Sequence, residues 1–169
     1  RVPDGVNLLT DEIQPVMVVN GAETPLGVFL TATHSQVADR YRVLTQIEAY
    51  DRCWRLQNMR TENILHLAAG TAYLTVVQQL MTAAGIKLIL ATPSDAVLAS
   101  DREDWDIGTT YLTIINQLLG EINYSDVWFD GRGLAHLTPY KTPSADRIDH
   151  AYSASDLRGA EPISPDRSD

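Results

Sequence analysis

Four carboxylates crowd into six consecutive positions, at Asp101, Glu103, Asp104 and Asp106. Carboxylates at this density can bind calcium, or they can serve as the acid and the base of a hydrolase. The stretch lacks the central glycine and the terminal glutamate of a calcium-binding loop, and Arg102 neutralises part of its charge. We therefore predict a solvated loop ahead of a helix, because acidic side chains favour the positive helix end.

The other side chains that could react or bind a metal are scattered along the chain. The histidines are His34, His66, His136 and His150. None of them has the H-x-x-x-H spacing of a zinc site, which favours surface or packing roles. Cys53 lies beside Trp54 in a predicted strand, which favours a packed thiol over a nucleophile. The tryptophans, which also include Trp105 and Trp128, are widely separated, so core or interface packing is favoured over a stacking platform.

No catalytic signature accompanies these residues. The sequence has no G-x-S-x-G elbow, no G-x-x-x-x-G-K phosphate loop and no strand–glycine–helix dinucleotide fingerprint. A single cysteine excludes an internal disulfide and a cysteine-rich metal site. We predict no catalytic, metal-binding or cofactor-binding residue, no cofactor, and a protein that is not an enzyme.

The composition is typical of a globular protein with an acidic surface. Of 169 residues, 44% are hydrophobic and 21% are charged, and the net charge is −9. Like charge with phosphate disfavours specific or nonspecific binding to nucleic acid and to anionic lipid. No apolar run approaches the roughly 20 residues that span a bilayer, and no signal peptide is evident. The chain begins with Arg1, and we expect a piece of a larger protein.

Two stretches of the chain are near copies and predict the elements around these side chains. Residues 70–80 and 108–118 align at an offset of 38 positions, with Gly, Thr, Tyr, Leu, Thr, Gln and Leu identical. Such a repeat indicates that one supersecondary unit occurs twice. Repeated core positions indicate architecture rather than catalysis.

Both copies carry the apolar stripe of an amphipathic helix. The stripes are Tyr73, Val76, Val77, Leu80 and Ala84 in the first copy, and Tyr111, Ile114, Ile115, Leu118 and Ile122 in the second. We predict Thr71 and Thr109 as N-terminal caps and Gly85 as a left-handed C-terminal cap. A β-prone segment follows each helix, at residues 86–90 and 127–129, so the predicted unit is a helix followed by a strand.

Three zones follow one another along the chain. Residues 1–60 contain β-prone runs at 15–20, 26–33 and 41–50, with a turn at Asn20-Gly21, and predict a β-meander or part of a barrel. Residues 61–140 form a predicted α+β domain with an internal duplication, at 70–90 and 108–129. It ends in a β-hairpin across the glycine turn within residues 126–137. Residues 141–169 contain a predicted strand at 147–152 and a polar tail. The predicted fold class is α+β.

Six short motifs occur in a fixed order. They are Pro25-Leu-Gly-Val-Phe-Leu30, Tyr50-Asp51-Arg52, Trp105-Asp-Ile-Gly-Thr-Thr-Tyr-Leu-Thr-Ile-Ile-Asn-Gln-Leu-Leu119, Ile122-Asn-Tyr124, Val127-Trp-Phe-Asp-Gly131 and Pro139-Tyr140. Their order and spacing resemble those of the hub proteins found in the tail tips and baseplates of tailed phages, prophages and phage-like bacterial particles. The resemblance covers roughly residues 12–152, and the stretch 105–140 carries most of its weight.

The resemblance implies a structural function. Such hubs are trimers at the end of the tail tube, built from tube-like β-barrel domains with an attached α/β domain. It implies that residues 1–60 are most of one antiparallel barrel, 61–140 the attached domain and 147–152 a strand that returns to the barrel. The implied partners are other tail proteins: tube, distal tail protein, spike or fibre. The implied location is the virion tail, after expression in the bacterial cytoplasm, and the family offers no catalytic residue to carry over.

Two other functions stay open on the residues alone. The acidic stretch and the tryptophans also suit an enzyme that hydrolyses peptidoglycan or glycans, which needs two carboxylates ~5–9.5 Å apart in one cleft. A stand-alone module could bind a peptide or a glycan through an exposed sheet edge or an aromatic patch. The repeat favours the scaffold, because a duplicated unit uses its shared positions for burial.

Overall fold

The structure is a computed structural model that describes residues 7, 10–39 and 42–143. The strands in this part are β1 (Glu12–Ile13), β2 (Val16–Val19), β3 (Ala22–Pro25), β4 (Phe29–Asp39), β5 (Arg42–Asp51), β6 (Ile89–Ala91), β7 (Trp128–Phe129) and β8 (Ala135–Leu137). The helices are α1 (Cys53–Asn58), α2 (Tyr73–Ala83) and α3 (Tyr111–Glu121). The presence of both helices and strands confirms the predicted α+β class.

Residues 12–51, which we call the N-terminal sheets, form two small antiparallel sheets. β2 and β3 pair as a hairpin across Asn20 and Gly21, whose φ angles of 51° and 81° suit a tight two-residue turn. β4 and β5 form a second, longer hairpin, to which β1 adds a short edge. The strands predicted at 15–20 and 41–50 are confirmed, while the run predicted from residue 26 becomes a strand only at Phe29.

Among the described residues, these two sheets do not close into the barrel of which residues 1–60 were expected to form most. The strand order is β1–β4–β5 in one sheet and β2–β3 in the other, and no described strand pairs across the two. A barrel needs an unbroken hydrogen-bonded ladder from its first strand to its last. Both sheets are therefore open among the residues that the structure describes. The strand predicted at 147–152 and the polar tail lie outside these residues.

Residues 53–140, which we call the helix–sheet unit, contain every buried hydrophobic side chain of the described chain. α2 and α3 pack on each other, and α1 packs against α3. In the sheet, β8 lies in the centre, with β6 parallel to it and β7 antiparallel, which confirms the predicted hairpin. Residues with no exposed surface include Leu56, Val77, Met81, Ile114, Ile115, Leu118, Leu119, Ala135 and Leu137.

The two long helices occupy equivalent positions of the sequence repeat. Each has 11 residues, and they begin at the repeated tyrosines Tyr73 and Tyr111. Each ends in a Schellman motif, in which the residue after the C-cap has a positive φ, 81° at Gly85 and 58° at Asn123. The predicted C-terminal cap at Gly85 is confirmed.

The predicted N-terminal caps are wrong by one position. Both helices begin at the tyrosine, so the cap is residue 72 or 110 rather than the preceding threonine. Thr110 Oγ1 accepts a bond from the amide of Thr113, whereas Thr109 donates its hydroxyl to the carbonyl of Asp106 at 2.7 Å. At the start of α2 the cap is Ala72, which has no side-chain acceptor.

A short helix replaces the strand predicted around Cys53. α1 has six residues and buries only Leu56. One buried residue in fewer than two turns leaves no helical period to detect, so the β-prone types at its start decided the prediction. None of the helices in the described ranges is both long enough and apolar enough to cross a membrane.

Candidate functional site at the junction and the exposed strands

The turn of residues 130–133, between β7 and β8, is where the helix–sheet unit meets the N-terminal sheets. Asp130 Oδ1 accepts the amides of Arg132 and Leu134, both at 2.9 Å. Its Oδ2 lies 3.2 Å from Nε2 of His136. These bonds lower the pKa of Asp130, and the bond from Leu134 contributes most. The ionised carboxylate therefore fixes the shape of the turn.

Two glycines of this turn allow the N-terminal sheets to approach closely. A Cβ on Gly131 would stand 2.3 Å from the carbonyl oxygen of Pro25. A Cβ on Gly133 would stand 2.7 Å from Cγ2 of Val28, and Gly133 also has a φ of 75°. Gln14 donates from Nε2 to the carbonyl of Gly131 at 3.1 Å. The contact is therefore sterically specific, because a larger residue at either position would separate the two regions.

Arg52 ties the same regions together through polar contacts. Its Nη1 donates to the carbonyl of Gly133 at 2.6 Å, and its Nη2 lies 2.5 Å from Oε2 of Glu12. Arg55 adds a contact of 3.2 Å to the other carboxylate oxygen of Glu12. The hydrogen bond from Arg52 is the largest cause of the lowered pKa of Glu12. This junction was not predicted, since nothing in the sequence pairs residues so far apart.

The acidic stretch lies at the surface, as predicted for a solvated loop ahead of α3. All four carboxylate residues are exposed. Arg102 forms ion pairs with Asp104 and, at 2.5 Å, with Glu121, and its guanidinium lies 5.0 Å from the centre of the Trp105 ring. Within the described ranges, no group of three His, Cys, Asp or Glu residues could hold a metal ion.

The tryptophans have different environments. Trp105 is 3% exposed and donates its indole N–H to Gln117 at 3.0 Å, which confirms packing at this position. Trp128 is 46% exposed and stacks on His136, with ring centres 4.1 Å apart. Trp54, on α1, is 37% exposed. Two aromatic surfaces are therefore available to a partner.

In the part of the chain that the structure describes, the remaining histidines and the cysteine form no cluster that could hold a metal ion. His34 is exposed on β4, His66 lies 2.9 Å from Glu103, and His150 is outside the described residues. Burial, assisted by Asp51, raises the pKa of the Cys53 thiol to about 12. Cys53 is partly buried and packs against the core, which confirms the packed role predicted for it.

Two open pockets lie beside the C-terminal end of α1. One, of about 340 Å³, is lined by Trp54, Arg55, Asn58, Met59 and Ala84. The other, of about 310 Å³, lies between residues 59–65, Leu80 and Tyr111. Glu62 is the one carboxylate among these linings. Neither pocket therefore contains the pair of carboxylates that glycoside hydrolysis uses.

β2 is an apolar strand that the described residues leave uncovered. Its residues Val16, Met17, Val18 and Val19 are 45%, 47%, 60% and 53% exposed. It pairs with β3 on one side, and no described strand pairs with its other edge. An apolar strand with a free edge is typical of a protein–protein contact. The sequence predicted the strand but gave no signal of which faces would be covered.

The fold of the chain is similar to parts of two solved tail proteins. The chain is similar to the tail protein from Neisseria meningitidis MC58, with a TM-score of 0.56 and 12% identity over 72% of this chain and 37% of that one. It is also similar to the 43 kDa tail protein of prophage MuSo2 from Shewanella oneidensis, with a TM-score of 0.56 and 11% identity over 85% of this chain and 42% of that one. The chain thus corresponds to about two fifths of each tail protein's length. No family and no curated protein sequence matches it.

Proposed function

We propose that this protein is a structural component of a phage or prophage tail, acting by self-association and by contact with other tail proteins. The observation that carries the proposal is the fold shared with two tail proteins. The distribution of burial supports it. The buried hydrophobic side chains lie in the helix–sheet unit, while the N-terminal sheets present apolar side chains and strand edges that a partner can cover.

We further propose that the protein is a hub at the tail tip or baseplate, and that its full-length form is a trimer. The support is the order of sequence motifs that resemble hub proteins. These motifs fall at positions that matter for the architecture. The motif at 105–119 contains the buried Trp105 and most of α3, and the motif at 127–131 forms β7 and the start of the junction turn.

Within this hub, we propose that residues 61–140 are an α+β domain that arose by duplication of a helix–strand unit, at 70–90 and 108–129. The equal lengths of α2 and α3, their identical C-terminal motifs and their matching starts support the duplication. β6 follows α2 and β7 follows α3 at corresponding positions of the two sequence copies, and the two strands flank β8 on either side. Residues 1–60 and 141–169 are then the regions outside the duplicated domain.

We propose that the protein works without catalysis. The acidic stretch is exposed and partly neutralised by Arg102, and the two pockets lack a carboxylate pair. The rival reading, a tail enzyme that hydrolyses peptidoglycan or glycans, requires that Asp101 and Asp106 act together. Replacing both with asparagine would then abolish turnover of purified cell walls, whereas a structural protein would show no turnover before or after the change.

One observation favours a second candidate, a binding module for a glycan or peptide. The ring of Trp128 is half exposed beside His136 and Asp130, which gives a stacking surface next to polar groups. A glycan array with hits that Trp128→Ala removes, and Trp54→Ala does not, would support this candidate. An array without hits would count against it.

The tail function is tested by immunogold electron microscopy of particles from the strain that encodes the chain. Antibodies raised against the helix–sheet unit and against unrelated cytoplasmic proteins provide the label and its control. We expect label on tails, and specifically at the distal end if the protein is a hub. Label along the tube would support a function in the tail but contradict a position at the hub. Unlabelled tails would contradict both proposals.

A further inference from the structure

We infer that β2 is the strand through which one copy of the chain contacts a second copy. The inference rests on the proposed self-association of a tail protein, and it names the surface that would serve it. Its starting point is the exposure of all four β2 side chains, from 45% to 60%. No other strand in the described ranges has such an uninterrupted apolar sequence exposed along its whole length.

β2 exposes apolar side chains on both faces of the β2–β3 hairpin. Successive side chains of a strand point to opposite faces, so Val16 and Val18 lie on one face and Met17 and Val19 on the other. Both faces are exposed. A two-stranded hairpin is marginally stable at best in water unless other elements cover its apolar surface. The β2–β3 hairpin therefore needs a cover that the described chain does not supply.

Charge is nearly absent from the β2–β3 hairpin. The chain carries a net charge of −9, so two copies repel each other at long range, and a contact surface without charge adds no local repulsion to this. β2 has no charged residue, and β3 has one, Glu23. Residues 13–39 contain no lysine or arginine, which disfavours nucleic acid and other anionic partners at this surface. The hairpin, in which Glu23 is the single charged strand residue, is thus a place where two acidic copies can meet.

Both N-terminal sheets have strand edges that no described strand pairs with. In the described chain, β2 has such an edge in its sheet, and β5 is an edge strand of the other sheet. A closed ring of identical copies needs two different contact surfaces on each copy, one for each neighbour. A chain with free edges at two separate places meets this requirement. These observations favour a second copy as the occupant over a single unrelated protein.

The test is the mass of the purified chain by light scattering over a range of concentrations, for the wild type and two variants. Val18→Lys places a charge in the proposed contact. Val97→Lys is the matched control, because Val97 lies in the helix–sheet unit and is 52% exposed, against 60% for Val18. We expect wild type and Val97→Lys to associate alike, and Val18→Lys to associate at least about tenfold more weakly. Thermal unfolding of all three chains checks that each variant is folded.

Three outcomes would overturn the inference. Association that Val18→Lys leaves intact would place the contact elsewhere on the chain. A monomeric wild type whose β2 amides resist hydrogen exchange would show that a segment of the same chain covers β2. A monomer that binds another tail protein through Val18 would identify a different occupant. Each of these results leaves the tail function standing, because immunogold labelling tests that function separately.

Discussion

The helix–sheet unit buries the apolar stripes of both α2 and α3, whereas none of the N-terminal-sheet side chains that the structure describes is a hydrophobic member of the buried core. The first region therefore has the packing that stabilises an independent fold. The second consists, among the described residues, of two sheets with unpaired strand edges, and it meets the first at the glycine-rich turn and through the ion pairs of Glu12 with Arg52 and Arg55. This difference supports the proposal that stability and assembly belong to different parts of the chain.

The largest expected effect comes from the core of the helix–sheet unit. Leu118 on α3 has no exposed surface. Replacing it with alanine removes three carbon atoms from the core and leaves a cavity, so we expect a loss of about 2–5 kcal/mol in the free energy of unfolding. Urea denaturation measures this loss. Val37→Ala, on an exposed strand position, should change the same quantity by less than about 0.5 kcal/mol. Equal losses in the two variants would mean that the buried core is not confined to the helix–sheet unit.

A smaller effect is expected at the junction turn. Gly131→Ala places a methyl group against the carbonyl of Pro25, so the turn or β3 must move, at a cost of about 1–3 kcal/mol. Faster hydrogen exchange in β3 should accompany the loss. The matched control is Gly120→Ala, since that helical glycine has no atom within 4 Å of an added Cβ. The control should stabilise the protein by about 0.5–1 kcal/mol. Destabilisation by both variants alike would count against a steric contact at the turn.

Arg52 gives a pH-dependent test of the same junction. Arg52→Ala removes the bonds to Glu12 and to the carbonyl of Gly133, and we expect a loss of about 1–2 kcal/mol at neutral pH. The pKa of Glu12 is lowered in the folded protein, so its contribution is fully present above the ordinary value of 4.5 and is lost as the pH falls through the folded value.

The pH dependence is measured with Glu12→Gln against the wild type by chemical denaturation from pH 7 to pH 3. The difference in the free energy of unfolding should be largest at neutral pH and should shrink as the pH falls from about 4.5 through the lower pKa of the folded protein, because the Glu12 carboxyl takes up its proton first in the unfolded chain and only then in the folded one. A difference that stays constant over this range would show that the ion pair does not contribute through its charge.

The smallest effect on the free energy of unfolding is expected at the N-terminal caps of α2 and α3. Thr110→Ala removes the cap of α3 and should cost about 1 kcal/mol, because one first-turn amide loses its acceptor. The corresponding change in α2, Ala72→Ser, introduces the missing acceptor and should stabilise the protein by a similar amount. Thermal unfolding of both variants measures these two changes in stability. Changes of the same sign would contradict the equivalence of the two helix starts.

The sequence predicted the elements whose signal is local. Period and turn chemistry were sufficient for α2, α3, the β2–β3 turn and the β7–β8 hairpin. Gly85 was predicted as a cap because only a residue tolerant of positive φ suits that position. The caps at residues 71 and 109 failed by one position, since helix boundaries depend on which residue first adopts helical angles.

The contacts that join the two regions could not be predicted in the same way. Arg52 and Gly133 are 81 positions apart, and no pattern in the sequence indicates that these two residues are in contact. The short helix at Cys53 has too few turns for a period. The barrel expected for residues 1–60 was an implication of the resemblance and of the runs of β-prone residues. Strand propensity does not determine which strands pair, so it could not distinguish a closed barrel from two open sheets.

Hydrogen exchange of the purified chain, followed by mass spectrometry in dilute and in concentrated solution, tests the central claim most directly. If stability and assembly reside in different regions, the amides of α2, α3 and β8 are protected at both concentrations. The amides of β2 then exchange rapidly in dilute solution and slow down when copies associate. Protection of β2 equal to that of α2 and α3 in dilute solution would contradict the account.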